Sequence, residues 1–466
     1  MAEYKTPGVY VEEISKFPPS VAGVATAIPA FIGFTNKCPK DQGNKPVKVT
    51  SMVDYESKFG GAPTLRIDNN ELKNKEFVMY DSMRLFFDNG GKTCYVVSVG
   101  DYETERNAIS ADTYKGNKNI VFSNLEKVDE VTLLLFPDAA LVLNDVNALG
   151  EVHKAALNHC GKMGDRFAIL DVKDVADEND KLGKTFGDFR SAVGANNLSY
   201  GAAYYPYLKT TYTKEIGFDE MCKDSEIGPL VQANSAYEKY GTSSAEEKGI
   251  IAKAIISQTP KYAEKLAQYQ AMAQVITPSA AIAGIYATTD ANKGVWQAPA
   301  NVSLSGVSNV VEQLSDADQE NMNVDPDAGK SINAIRSFSG KGIIVWGART
   351  LDGNSNEWRY VPVRRLFNYV EESVQKSTNW AVFQPNDANT WVKVRCQIEN
   401  FLSNLWRDGA LAGSTPDKAF YVRVGLDETM TAQDILEGRM IVEIGLAAVR
   451  PAEFIILKFS HKLQEA

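Results

Sequence analysis

Few residues in this chain invite a chemical reading. Gly91-Lys92-Thr93 has the ending of a phosphate-binding loop, in which backbone N–H groups and a lysine cradle phosphate oxygens. That pattern needs a glycine where Phe86 stands, and a strand before the loop with a helix after it. Here a helix-periodic run comes first and CYVVSV follows, so the glycines read as a helix cap. A metal site or a Ser-His-Asp triad would have to draw on His153, His159 or His461. His153 and His159 are six apart, on different faces of one helix, with no cysteine pair and no Gly-x-Ser-x-Gly elbow to join them. Asp165 and Asp171 flank FAILD and read as a turn residue and a strand-end residue rather than ligands. These patterns supply no catalytic, cofactor-binding or metal-binding residues. Arg349, Arg359, Arg364 and Arg365 surround the polar loop 350–357, opposed only by Asp352 and Glu357. A solvated face and a contact for an acidic partner surface are both open for them.

The elements that would carry these residues alternate between helix and strand. VAGVATAIPAFIGFT reads as a buried strand or two, and apolar spacing predicts a helix over Asn70–Phe87, stopped at Asn89-Gly90-Gly91. Strands are expected at Cys94–Val99, Val131–Phe136, Phe167–Asp171 and residues 200–208, with a helix over His153–Met163. This order gives a layered α/β fold class. The stretch 242–274 is helical in composition and divided at Pro260. Further strands are expected at Ile343–Trp346, Trp358–Val361 and Met440–Ile444, and a helix over Arg365–Val374. From Thr390, the residues Trp391, Val394, Ile398, Leu402 and Leu405 define an amphipathic helix ending at Asp408-Gly409.

Both termini read as strands without a partner nearby in sequence. TPGVYVEEI (Thr6, Pro7, Gly8, Val9, Tyr10, Val11, Glu12, Glu13, Ile14) alternates at period two and is followed by the stiff Phe17-Pro18-Pro19. Phe454, Ile455, Ile456, Leu457, Lys458 and Phe459 form the corresponding strand at the other end. A strand offered to another chain is a route from subunit to polymer.

With 466 residues the chain can hold two or three domains, and 44% hydrophobic with 23% charged residues is ordinary for globular proteins. A net charge of −10 argues against nucleic acid as the main partner. Five widely spaced cysteines read as reduced thiols of a protein made in the cytosol. Neither a signal peptide nor a membrane-inserting stretch is expected.

Several ordered motifs closely resemble the tail sheath proteins of contractile phage tails and contractile injection systems. They are YKTPGVYVEEI, PPSVAGVATAIPAFIGFT, FFDNGGKTCYVVSV, DRFAILD, YGAAYYPYL, PSAAIAGIYATTDANKGVWQAPAN, IIVWGARTL, WRYVPVRRLFNYVEESV, VFQPND, TWVKVRCQIENFLSNLWRDGALAGSTPDKAFYVRV and GLAAVRPAEFIILKF. Gln384 departs from the glutamate usual in the family, and residues 210–275 match no family motif. The resemblance implies a core domain built from N- and C-terminal segments, an inserted middle α/β domain, and terminal β-arms. The boundaries would be 1–20 for the N-terminal arm, 21–110 and 336–450 for the core, 111–335 for the insert and 451–466 for the C-terminal arm. It implies a non-catalytic subunit that stacks as hexameric rings around an inner tube and contracts to drive the tube through a cell envelope. Implied partners are other copies, the inner tube, baseplate and cap proteins, and paralogous sheath subunits. Trp391, Arg407 and Lys418 are candidates for the tube contact. The particle would assemble in the bacterial cytoplasm, with release outside the cell open to it. A baseplate or adaptor protein on a related core and an α/β hydrolase are the alternative readings.

Overall fold

Apolar runs without polar alternation belong to strands covered on both faces, the signature of a parallel sheet inside an α/β layer structure. PAFIGFT, LLL, FAILD and GAAYY form such strands at Pro29–Thr35, Leu133–Leu135, Phe167–Asp171 and Gly201–Tyr205, and every residue in them is buried. The computed structural model describes residues 21–38, 43–175, 177 and 180–456.

These strands lie in a nine-stranded sheet. Its middle is a parallel run in the order Ile332–Phe338, Gly201–Tyr205, Phe167–Asp171, Leu133–Leu135, Pro29–Thr35 and Cys94–Asp101. Antiparallel strands finish both sides: Pro46–Val49 beside Cys94–Asp101, and Gly342–Val345 with the short Val302–Ser303 beside Ile332–Phe338. Period two divides the side chains between two cores. Ile32 and Phe34 pack with Leu149, Val152, Ala156 and Phe189 from the Val146–Met163 and Lys181–Ala192 helices. Phe31 faces the other way, toward Met83 and Phe86 of the Met79–Asp88 helix and Ile282 and Tyr286 of the Ser279–Lys293 helix. The predicted α/β layering is present, and the Phe167–Asp171 strand has the predicted ends.

The predicted Asn70–Phe87 helix is half right. It begins at Met79, and residues 66–73 form a hairpin of Arg66–Asp68 and Glu71–Lys73. Asn69 and Asn70 both take positive φ, 49° and 63°, the backbone that a two-residue hairpin turn requires. The hairpin is stable because the 210–275 stretch covers it. Ile67 and Leu72 share a small core with Met221, Val231, Ile255, Tyr262 and Tyr269. Pro260 does divide two helices, Ala245–Ser257 and Pro260–Ala273, standing at the first position of the second. The expected strand at Trp358–Val361 is reduced to one bridge between Arg349 and Tyr360, because Pro362 starts the Val361–Ser377 helix. The strand expected at Met440–Ile444 is shifted to Glu443–Leu446.

Contacts divide the described residues into two compact units, one from 25–369 with 450–456 and the other from 21–24 with 370–449. The division differs from the expected boundaries. Strands on both sides of residue 110 are hydrogen-bonded in one sheet, and residues 336–369 remain with the larger unit. In the smaller unit the N–H groups of Ala22 and Val24 donate to Ser377 Oγ and Ser373 Oγ, each at 3.2 Å.

In open α/β sheets, the carboxyl ends of the parallel strands border the usual ligand crevice. Here Asp171 closes it by capping the Ser279–Lys293 helix, accepting from Ser279 N at 2.9 Å and Ser279 Oγ at 2.6 Å. Burial pushes its carboxyl up to about 7, with the Ser279 bonds opposing. A raised carboxyl pKa favours the fold fully below about pH 4 and loses that contribution as pH rises through about 7. We expect Asp171→Asn to lie within about 1 kcal/mol of the parent at pH 4, where the parent carboxyl is neutral like the amide. Denaturant titrations should show the gap shifting toward the variant by roughly 1–4 kcal/mol between pH 4 and pH 8.

Candidate assembly site

The structure gives the glycines, His153, His159 and Asp165 packing roles; His461 lies outside the described residues. Gly90 and Gly91 close the Met79–Asp88 helix, with Gly91 N donating to Phe86 O at 2.9 Å. A side chain on Gly90 would collide with Thr288, whose hydroxyl donates to Asn89 O. His153 and His159 are buried, the first against Phe189 and the second against Phe122. Burial pulls His153 down to about 3. Burial and then the Arg166 charge pull His159 down to about 4. Asp165 lies beside Arg166 Nε at 3.2 Å. Among the described residues no group of three or more His, Cys, Asp or Glu side chains could hold a metal ion. No described helix is long and apolar enough to cross a membrane.

Neither sequence reading of the arginine cluster survives for Arg349, Arg364 and Arg365, all of which are buried. Arg365 pairs with Asp290 at 2.5 Å, donates to Thr26 O and lies over the Tyr286 ring. Arg364 stacks on Trp358 at 4.1 Å and Tyr200 at 4.8 Å, with Nε donating to Asn368. Arg359 Nε donates to Gly353 O. Arg349 makes a two-pronged bond to Glu453, Nε to Oε1 at 2.8 Å and Nη2 to Oε2 at 2.6 Å. No local pattern announces that pair, since 104 residues separate its members.

Glu453 is the fixed root of the C-terminal segment. Tyr360 OH and Asn323 Nδ2 also donate to it, at 3.2 and 3.4 Å. Immediately after this root, Phe454, Ile455 and Ile456 are 70–79% exposed and lie in no strand of the single chain. Of the two predicted arm strands only these three residues are described; Thr6–Ile14, Leu457, Lys458 and Phe459 lie outside the described residues.

The smaller unit is rich in uncovered apolar surface. Val382, Phe383, Val392, Tyr421, Leu426, Leu436 and Ile441 are all exposed. Its amphipathic helix runs Ala388–Arg407, capped by Asp387 on Thr390 N at 3.0 Å. Val394, Ile398, Leu402 and Leu405 are buried, as their spacing predicted. Trp391 is half-buried and donates to Asn386, while Arg407 and Lys418 are exposed. Beyond the helix, Phe420–Arg423 and Glu443–Leu446 pair as an antiparallel two-stranded sheet. Tyr421 lies across Gly445 and donates to Glu443 at 2.8 Å. Two strands alone are marginal in water.

Residues 136–351 match the family model described as the phage tail sheath protein central domain, and residues 354–462 match the phage tail sheath C-terminal domain. A chain in the cryo-EM structure of the anti-feeding prophage baseplate is 30% identical, with 99% of this chain and 100% of that chain covered at a TM-score of 0.66. A chain in the contracted sheath complex of the extracellular contractile injection system PVC is also 30% identical, covering 99% of each at a TM-score of 0.66. The tail sheath protein of Vibrio phage KVP40 is 24% identical over 182 residues, 38% of this chain and 25% of that protein. The match thus spans about a quarter of that relative's length.

The Arg349–Glu453 pair makes a direct prediction. Glu453→Gln should remove about 1–3 kcal/mol of charge-assisted bonding and leave a buried guanidinium uncompensated. Calorimetry should show the larger unit melting several degrees lower, and timed proteolysis should show earlier cleavage after residue 450.

Proposed function

This chain belongs to the phage tail sheath protein family, and from that premise we propose that it is a structural subunit of a contractile sheath. Copies stack as hexameric rings around an inner tube, and their contraction drives the tube through a target envelope. The observation that carries the proposal is the 30% identity, over essentially the whole chain, to a chain of a contracted sheath complex. The likeness to a chain in a baseplate structure supports a baseplate contact as well. A cap, paralogous sheath subunits and assembly in the bacterial cytoplasm belong to the same reading. A structural role also fits the crevice at the strand ends, where Asp171 is occupied in capping a helix.

Subunits are linked by strand addition. The Phe420–Arg423 and Glu443–Leu446 sheet has the open edges of an acceptor, and the donors are the Thr6–Ile14 and Phe454–Phe459 arms of other copies. A six-residue strand makes about four to six ladder bonds, each worth about 1 kcal/mol net. Buried side chains such as Val9, Val11 and Phe454 add about 1–3 kcal/mol each. Glu12 and Glu13 on one arm and Lys458, His461 and Lys462 on the other favour mixed pairing over like-with-like. The Phe17-Pro18-Pro19 spacer serves as a tether that lets the subunit body move while the link holds. The tube contact is assigned to Trp391, Arg407, Lys418 and the loop 409–418.

Deleting residues 1–16 should leave a soluble, folded subunit that forms no sheaths by electron microscopy; long tubes from the truncated protein would refute strand linkage. Reversing the charges of Arg407 and Lys418 should slow assembly templated on the tube, and an unchanged rate would remove them from the tube face.

A further inference from the structure

The Val146–Met163 helix carries a polar stripe. Glu151, Lys154, Asn158, His159 and Lys162 fall at the three- and four-residue spacings of one helix face. Opposite stand Phe122, Ser123 and Glu126, with Lys118 and Asn119 at the corner before the Ile120–Leu125 helix. With Lys115 these residues enclose a groove of about 610 Å3, open to solvent. The groove is basic, although the chain has a net charge of −10. Four lysines line it against two carboxylates, and both carboxylates are engaged: Glu126 by Lys162 at 2.7 Å and Glu151 by Lys115 at 3.3 Å. Lys118 and Lys154 are exposed, and neither is paired with a carboxylate among the described residues.

Exposed lysines by themselves are ordinary surface; the buried histidine beneath these is not. His159 lines the groove and is only 5% exposed. Arg166 behind it is fully buried, and its Nη1 lies 2.9 Å from His159 Nε2. A guanidinium can only donate, so Nε2 accepts and the proton of the neutral ring sits on Nδ1. No described residue accepts a hydrogen bond from that Nδ1. A buried donor without an acceptor is costly, and its natural partner comes from outside the chain. Arg166 also donates to Leu125 O and Val128 O, which fixes a positive charge beneath the same ring. Beside it, Asn158 Oδ1 accepts from Asn197 Nδ2 at 3.0 Å, leaving the Asn158 amide N–H groups to donate.

We propose that this groove binds an oxyanion of the phosphate class, with His159 Nδ1–H, Lys118 and Lys154 as its donors. Four lysines against two carboxylates leave an excess of two positive charges, which matches a dianion. Donors drawn from two sides of a groove suit a tetrahedral group, which accepts in several directions, better than a flat carboxylate. The neutral histidine supplies a hydrogen bond without needing to take up a proton. The site lies apart from the arms and the two-stranded sheet, so it stands whether or not the sheath proposal does.

The chain has three histidines, so a histidine-labelled, full-length subunit gives a readable proton–nitrogen spectrum, with His159→Gln assigning the signal. Inorganic phosphate titrated at constant ionic strength should move the His159 ring signal saturably and leave His153 in place; chloride should move neither. Replacing both lysines, Lys118→Gln with Lys154→Gln, should weaken binding by about fivefold or more at an unchanged melting temperature. Lys127→Gln, an exposed lysine outside the groove, should bind as the parent does. Glycerol phosphate is the second arm. Equal or tighter binding assigns the site to the phosphate end of a larger molecule, and loss of binding assigns it to the free ion. The proposal is overturned by the absence of a saturable shift, by an equal response to acetate, or by normal binding in the double variant. A ring proton found on Nε2 overturns it as well.

Discussion

The structure depends on one constraint: six parallel strands can lie side by side only if both faces of their sheet are kept dry. Each parallel connection must cross over a face, and here the crossing segments supply the covering helices. The two cores that result are separate lists of side chains taken from the same strands, Phe31 in one and Ile32 with Phe34 in the other. A sheet so enclosed is a stiff plate. Such a body suits the sheath role proposed above.

Stiffness in the body places the adaptable chemistry at its margins. The crevice at the carboxyl ends of the strands, where related architectures hold ligands, is filled here by the Asp171 cap on the Ser279–Lys293 helix. The arginines that sequence left undecided hold the packing instead: Arg365 ties Asp290 to Thr26, and Arg349 holds the root of the C-terminal segment. Exposed apolar residues collect beyond that root and over residues 370–449, where a neighbour can cover them. The helical stretch 210–275 has its own small core and completes it with the 66–73 hairpin, so it rests on the plate without entering the sheet.

Much of the fold was legible because it follows from local period. FAILD could only be a buried strand, the 3- and 4-residue steps from Trp391 could only be a helix face, and Pro260 marked a helix start. The misreadings came where turn chemistry was overlooked. Asn69-Asn70 is a hairpin turn hidden in a run of helix-like spacing, and Pro362 turns an apparent strand into the first turn of a helix. The arms read in sequence as strands lacking a local partner; Thr6–Ile14 lies outside the described residues, and Phe454–Ile456 lies in no strand of the single chain.

By itself, then, the sequence determined the layered α/β class and offered no recognisable catalytic motif, since both rest on residue type and short-range spacing. Only the tertiary structure decided which distant residues meet: Arg349 with Glu453, Arg365 with Asp290, and Tyr204 with Tyr286. It also decided that Phe383 stands exposed at a positive φ while Ala381, two residues before it, is buried. The physical reason is that burial and pairing are properties of the closed chain. A charge or a ring has the same letter in the sequence whether the fold covers it or leaves it bare.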